Sequence, residues 1–301
     1  MAFKSNSRPI LLGLIATLCW CWSGVCFRKG SDLMGSSMVY LAWMTGCGSL
    51  TAVLIHRLQG HPIAEMIRLP GKVLAAGFFG VALYTVLLAK AFGIAAEADI
   101  GQINLLNYLW PVWMVALSMR LLGSRPRMPL AVSGILLGLI GVAISRGFRQ
   151  FAHLPSTLLP HGLALAGGFL WALYVVLLRR WNVPEKQSGT AFHFAVCAAI
   201  AGLLAAVAGE WQQVPPCSGD MLFWILLGGI GPVGTAYSLY EISVKNGPVL
   251  VIASFAYFIP VGSSLLIGFF YQEALNSGLL VGALCIAAGA WLVRHSCRDI
   301  E

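Results

Sequence analysis

WALYVVLLRR, residues 171–180, restates WCWSGVCFRK, residues 20–29: a tryptophan opens each stretch and two basic residues close it, 151 positions apart (171 − 20). Further out, Gly77-x-x-Gly80 recurs at the same offset as Gly228-x-x-Gly231, and Tyr108-Leu-Trp-Pro111-Val112 recurs as Tyr257-Phe-Ile-Pro260-Val261. Gly134 and Gly141 recur as Gly282 and Gly289. The chain is one unit written twice. If each unit holds five crossings, the odd number forces the second copy to enter the membrane from the opposite side. Inverted repeats of this kind hold their ligands near the midplane, between the halves.

Composition supports the crossings. Apolar residues make up 58% of the 301 positions and charged residues 10%, where a soluble domain carries about a quarter charged. Stretches of roughly 20 apolar residues, the length a bilayer demands, are expected near 9–28, 35–56, 72–93, 98–119, 128–145, 160–180, 188–208, 221–243, 247–271 and 277–294. The expected fold is an all-α membrane protein of ten transmembrane helices in two inverted five-helix repeats, residues 1–146 and 147–301. The first stretch follows Lys4 and Arg8 as a signal peptide would, but it lacks a small-residue cleavage site and matches the internal helix around Trp171. It is read as the first span. The connection 146–159 is read as a linker between repeats.

The net charge of +8 reflects topology. Of the 19 Lys and Arg, only Arg28, Lys29, Lys90, Arg146 and Arg149 fall on the side away from the N-terminus. The positive-inside rule then places both termini in the cytoplasm, and no nucleic-acid partner is implied. The eight cysteines lie mostly within spans without ligand spacing, so neither metal nor redox chemistry is expected. No nucleophile elbow, zinc motif or phosphate-binding loop occurs, so no enzyme activity, cofactor or nucleotide-driven pumping is expected.

Candidate chemistry gathers at midspan. Pro111 and Pro260 occupy matching repeat positions and deprive the carbonyls of Asn107 and Ala256 of their helical donors. Such breaks are tolerated where protein, water or a ligand satisfies the backbone, so both prolines are candidate helix breaks and gates. Beside them Asn104, Asn107, Tyr108 and Pro111 share one helical face at spacings of 3, 4 and 7. On an unbroken helix Trp110 points about 200° away from Tyr108. Tyr40, Trp43, Trp181, Trp211, Trp224, Tyr271 and Trp291 suit the aromatic belts at the membrane interfaces, whereas Trp20, Tyr84, Tyr108, Trp110, Trp171 and Tyr257 fall near span centres. Rings at that depth can pack a core or receive an aromatic ligand. Glu241 has Lys245 one turn on, a favourable helical pair. Its repeat partner Lys90 belongs near the other membrane face, and His193 is read as structural.

The paired units resemble the drug/metabolite transporter superfamily with tandem EamA-type domains. Asn107-Tyr-Leu-Trp-Pro111 and Phe169-Leu-Trp171-Ala-Leu-Tyr174 are similar to the YddG-type aromatic amino-acid exporters within it. The resemblance implies efflux of aromatic and other neutral amino acids across a bacterial inner membrane by alternating access, with Asn107, Tyr108, Trp110, Pro111 and Trp171 carried over as the family motif. Glu273 has no counterpart in the first half, where Ser124 aligns. A multidrug exporter of organic cations, which would want a midplane carboxylate, is the alternative within transport. A channel, or a membrane-embedded enzyme or scaffold, stands outside it. The close-approach motif Gly134-x-x-x-Gly138 serves one bundle as readily as a dimer, and a monomer is compatible with it.

Overall fold

In a computed structural model of the chain, residues 7–95, 99–147, 157–272 and 278–296 are described. They form helical segments and connecting turns. We name the segments α1 (Ser7–Met34), α2 (Ser37–Leu58), α3 (Gly71–Ile94), α4 (100–122), α5 (Met128–Arg146), α6 (Leu159–Arg180), α7 (Thr190–Val207), α8 (Gly219–Asn246), α9 (Val249–Tyr271) and α10 (Leu279–Ser296). These ten segments coincide with the ten expected from the sequence. Seven are long and apolar enough to cross a bilayer, and Trp110–Leu122, Met128–Ile144 and Leu279–Val293 are shorter apolar helices.

The glycine pairs reveal the symmetry. A Cβ on Gly289 would lie 2.5 Å from the Gly134 carbonyl oxygen, and one on Gly134 would lie 2.6 Å from that of Gly289. One on Gly141 would lie 2.7 Å from the Gly282 carbonyl. Position 134 thus meets 289 while 141 meets 282, so α5 and its repeat equivalent α10 run antiparallel. Exchanging the repeats maps one pair onto the other. This is a two-fold axis in the membrane plane, as an inverted repeat requires. Without a hydrophobic drive between helices in lipid, such backbone-to-backbone approach is what packing depends on.

The halves interlock. Helix α1 packs on α8 and α9, while α6 packs on α3 and α4; α2 lies against α7 and α8, and α7 against α3. Gly228 of α8 admits Tyr40, whose hydroxyl donates to the Trp224 carbonyl (2.8 Å), and Gly77 of α3 admits His193 at the equivalent place. Tyr40 and Trp224, expected at the membrane interface, are therefore buried packing elements. The basic pair that closes the opening motif has a job as well. Arg180 donates to the Leu121 carbonyl at the end of α4 (2.5 Å) and Arg179 to that of Lys245 at the end of α8, where helix C-termini favour cations. In the first half Arg28 and Lys29 instead lie over the Tyr271 ring, at 4.0 and 4.1 Å.

Several helices are interrupted. The hydrogen-bond ladder widens to π turns at Phe78–Leu83 in α3 and Gly229–Thr235 in α8, which are equivalent positions, the second around Pro232. Helix α4 breaks at Tyr108–Leu109, and α9 tightens to a 3-10 turn at Phe255–Tyr257, each just before its proline. Both interruptions precede the prolines expected to break these helices, Pro111 and Pro260, which lie in the first turn of the helix that follows; the π turns lie outside that expectation. Such turns cluster at functional sites.

A candidate substrate site between the halves

The break in α4 is held against α6. A Cβ on Gly168 would lie only 3.0 Å from the Asn107 carbonyl oxygen and 3.7 Å from Trp110 Cβ. Since Pro111 supplies no donor to that carbonyl, the bare face of Gly168 lets α6 cover it. One helical turn on from Gly168, Trp171 projects into the space between the halves.

Trp171 is the hub. Tyr84 stacks on it at 5.9 Å between centroids with planes 23° apart, and Trp20 (6.1 Å) and Trp110 (6.3 Å) meet it edge-on. Tyr237 (5.2 Å), Tyr240 (5.8 Å) and Tyr174 (6.0 Å) complete its surroundings. Trp20 also lies 4.8 Å from Tyr240, and Phe194 seats Tyr237 at 4.7 Å. All these separations fall in the range where aromatic pairs attract beyond area burial. Trp20 and Trp171, the residues that open the repeated motif, meet close to the two-fold axis.

Polar groups border the rings. The Asn107 side chain reaches the Tyr84 hydroxyl, yet its Oδ1 is buried without a hydrogen-bond partner among the described residues. Trp20 Nε1 and the Tyr174 hydroxyl are likewise buried and unpartnered. The cluster thus offers one acceptor, one N–H donor and one hydroxyl, with no charged side chain among its rings. Leaving such atoms unmet costs about 1–3 kcal/mol each. A ligand carrying both a donor and an acceptor would recover that energy.

The structure brings together Trp20, Tyr84, Asn107, Trp110 and Trp171 of the sequence candidates. Trp110 is 3% exposed and faces the hub, because the break at Tyr108–Leu109 cancels the rotation an unbroken helix would impose. Tyr108 is buried in that turn. Tyr257 packs its ring on Gly138 of α5, where a Cβ would lie 2.8 Å from it, and its hydroxyl is unpartnered. The backbone of Asn104 lies on α4; its side chain is outside the described residues. So is Glu273. Sequence reasoning missed Tyr237 and Tyr240 of α8. Their spacing of three on one helical face was the available signal, but their repeat equivalents, Val86 and Ala89, are not aromatic.

Charge lies elsewhere. Glu241 and Lys245 pair at 2.6 Å, as their spacing suggested, but both are almost fully buried. Glu241 Oε2 accepts from the hydroxyls of Ser188 (2.9 Å) and Thr190. Lys90, at the equivalent position in α3, is exposed. His193 packs under Gly77 and edge-on to Tyr174 at 5.9 Å. No group of His, Cys, Asp or Glu among the described residues could hold a metal ion.

Comparison with known proteins follows this architecture. The EamA-like transporter family matches residues 7–147 and again 158–294. The chain belongs to the EamA-like transporter family. It is a multi-pass membrane protein with a small-molecule substrate. The transporter is 29% identical over 290 residues to the aromatic amino acid exporter YddG of Ancylobacter novellus, covering 95% of this chain and 96% of that protein. The YddG proteins of Salmonella typhimurium and Escherichia coli are 25% and 26% identical to it, each over 96% of this chain and 97% of their own. A solved crystal structure superimposes on the transporter with a TM-score of 0.83 at 26% identity, covering 99% of this chain and 100% of the other.

Proposed function

We propose that the protein exports amino acids, aromatic ones among them, by alternating access, and that the ring cluster around Trp171 is the substrate site. The observation that carries this reading is the cluster itself: rings from α1, α3, α4, α6 and α8 converge between the two halves, bordered by the unmet Asn107 Oδ1 and Trp20 Nε1. The ring faces suit an aromatic or bulky side chain. Asn107 Oδ1 suits the substrate ammonium, and Trp20 Nε1 its carboxylate. Rocking of one half against the other, with the interruptions in α3, α4, α8 and α9 as hinges, would expose the cluster to each face in turn. The names of the YddG relatives support this substrate class.

Further parts of the reading rest on the sequence. We place the protein in a bacterial inner membrane with both termini cytoplasmic, on the distribution of Lys and Arg. The boundary between the repeats lies at 146/147. The protein works without cofactor, nucleic acid or catalysis, and one copy suffices. An organic-cation exporter is disfavoured, because the cluster holds no carboxylate and Glu241 is already neutralised by Lys245.

Uptake of labelled phenylalanine, tryptophan and threonine into liposomes holding the purified protein tests the reading, beside Trp171→Ala. Saturable uptake, competed by other neutral amino acids and weakened at least tenfold by the substitution, is expected. Uptake no faster than into empty liposomes, with organic cations carried instead, would overturn it.

A further inference from the structure

The face that carries the ends of α6 and α8, here the terminal face, holds a second polar centre. Glu241 and Lys245 are 5% and 2% exposed at their side chains. Buried ion pairs are rarely more stable than apolar residues of the same shape, and ionisable residues inside membrane spans characteristically mark the path of a substrate. What covers this pair is informative. Both hydroxyls that donate to Glu241, from Ser188 and Thr190, come from the α6–α7 connection or the residue that ends it. Both carbonyls beyond the pair that accept from Lys245 Nζ, those of Gln187 (2.7 Å) and Pro184 (3.4 Å), come from the same stretch. Residues 184–190 therefore present donors to the carboxylate and acceptors to the ammonium.

From outside, that stretch is held by ties near the surface, among them Asn246 of α8, which donates to Glu185 (3.2 Å). Glu185 meets Arg8 of α1 (3.2 Å), and Lys186 meets Glu65 (3.2 Å). Surface pairs of this kind contribute little, so what holds the strap down is chiefly its four hydrogen bonds to the buried pair, and a ligand that replaces those bonds lets it lift.

There is room beside it. A cavity of about 10 Å³, at the lower limit for one water molecule, is lined by Glu241, Lys245, Ser188, His56 and Ser238. Ser238 is 6% exposed, and its Oγ is buried without a partner among the described residues. Gln59 and Glu185 separate this cavity from an open depression of about 480 Å³ on the terminal face, wide enough to admit an amino acid.

We propose that Glu241 and Lys245 form a second recognition site, for the charged head group of a zwitterionic amino acid arriving at the terminal face, which residues 184–190 fill as an internal mimic when that face is closed. The inference rests on the amino-acid transport reading. When the strap lifts, the substrate ammonium replaces the Ser188 and Thr190 hydroxyls at Glu241. Its carboxylate replaces the Gln187 and Pro184 carbonyls at Lys245. The ring cluster, which lacks charged side chains, then takes over the aromatic part.

The test compares the unsubstituted protein with the double variant Glu241→Gln, Lys245→Met in proteoliposomes. Saturation kinetics of labelled tryptophan are measured, with competition by tryptamine, which lacks the carboxylate, and by indole-3-propionate, which lacks the ammonium. The unsubstituted protein should prefer tryptophan to either analogue by at least tenfold. The double variant should show a KM raised at least tenfold and a preference reduced to threefold or less. A monodisperse preparation whose tryptophan fluorescence still responds to substrate establishes that the variant is folded. A variant that retains both KM and preference overturns the inference and leaves the transport reading intact. If the double variant does not fold, Glu241→Gln, Lys245→Gln is used, which removes both charges but keeps hydrogen-bonding side chains, and unchanged KM and preference there overturn the inference equally. Absence of tryptophan uptake by the unsubstituted protein overturns both.

Discussion

Removing one charge of the buried pair should hurt far more than removing both. In Lys245→Met the Glu241 carboxylate keeps the hydroxyls of Ser188 and Thr190 but loses its ionic partner among the described residues, 2.6 Å away. Stranding a buried charge costs about 3–5 kcal/mol. Glu241→Gln alone leaves the ammonium with the carbonyls of Gln187 and Pro184, so about 3 kcal/mol is expected there. In the double variant the amide oxygen still accepts a hydroxyl and the Met thioether follows the path of the Lys stem. The net cost is therefore about zero, or the variant is slightly stabilised. The coupling energy of the cycle then exceeds about 3 kcal/mol, well outside the roughly 0.5 kcal/mol scatter of independent sites. Equilibrium unfolding in mixed micelles, followed by tryptophan fluorescence, measures each corner. A Lys245→Met variant losing less than about 1 kcal/mol, or a double variant that sums the two singles, would refute the claim that these charges depend on each other.

Other expectations concern the scaffold, the site and the topology. Gly289→Val should separate α5 from α10, because its Cβ meets the Gly134 carbonyl at 2.5 Å and the Gly138 nitrogen at 2.9 Å, whereas Gly231→Ala, with nothing within 4 Å, should be tolerated; equal recovery of both folded variants from membranes would contradict the packing. Asn107→Leu should hold or raise stability, since it removes the unpartnered Oδ1, while raising KM for aromatic amino acids about tenfold, the equivalent of one hydrogen bond of roughly 1.4 kcal/mol; lower stability with unchanged KM would assign Asn107 to structure alone. Cys217, exposed in the α7–α8 connection, should react with an impermeant maleimide on intact spheroplasts if the termini are cytoplasmic, and only after permeabilisation if the topology is reversed.

The scaffold was legible because it is written in residues whose meaning survives without neighbours. Gly134, Gly141, Gly282 and Gly289 recur at one spacing and prove to be the places where α5 and α10 touch through their backbones. The site was legible only in part, and for local reasons. Trp110 was misdirected by treating α4 as continuous, although the same reading had identified Pro111 as a break. Once the helix stops at Asn107 and resumes at Trp110, a rotation of 100° per residue no longer applies between them. Tyr237 and Tyr240 follow directly on the π turn of α8, which changes the facing of every later residue in that helix and leaves no mark in hydrophobic periodicity. Tyr40 and Trp224 were assigned to the interface by their place along the span. What lets Tyr40 be buried is the absence of side chains at Gly30 and Gly228, and Trp224 packs its ring on Phe270 (5.3 Å), a partner distant in sequence.

A perfectly two-fold transporter would close equally well on either face, since exchanging its repeats would turn one state into the other. The positions where the repeats differ are then where a preference must arise. Trp20 and Trp171 are equivalent and add no bias, but Asn107 corresponds to Ala256, Tyr84 to Thr235, and the pair Glu241 and Lys245 to Lys90 and Ile94. Among the described residues, a buried ion pair with a covering strap is found on the terminal face, while Lys90 stands exposed at the matching place on the other. The hydrogen bonds between strap and pair are then the expected source of a bias toward closure at the terminal face. A preference of one face over the other by even 1.4 kcal/mol populates it about tenfold. Crosslinking Ser36 to Glu210, which hydrogen-bond across the halves on the opposite face, should abolish transport when each is replaced by cysteine in a cysteine-free background, and reduction should restore it. Unimpaired transport in the crosslinked state would mean that the halves do not part there, and the rocking of inverted repeats would have to be abandoned.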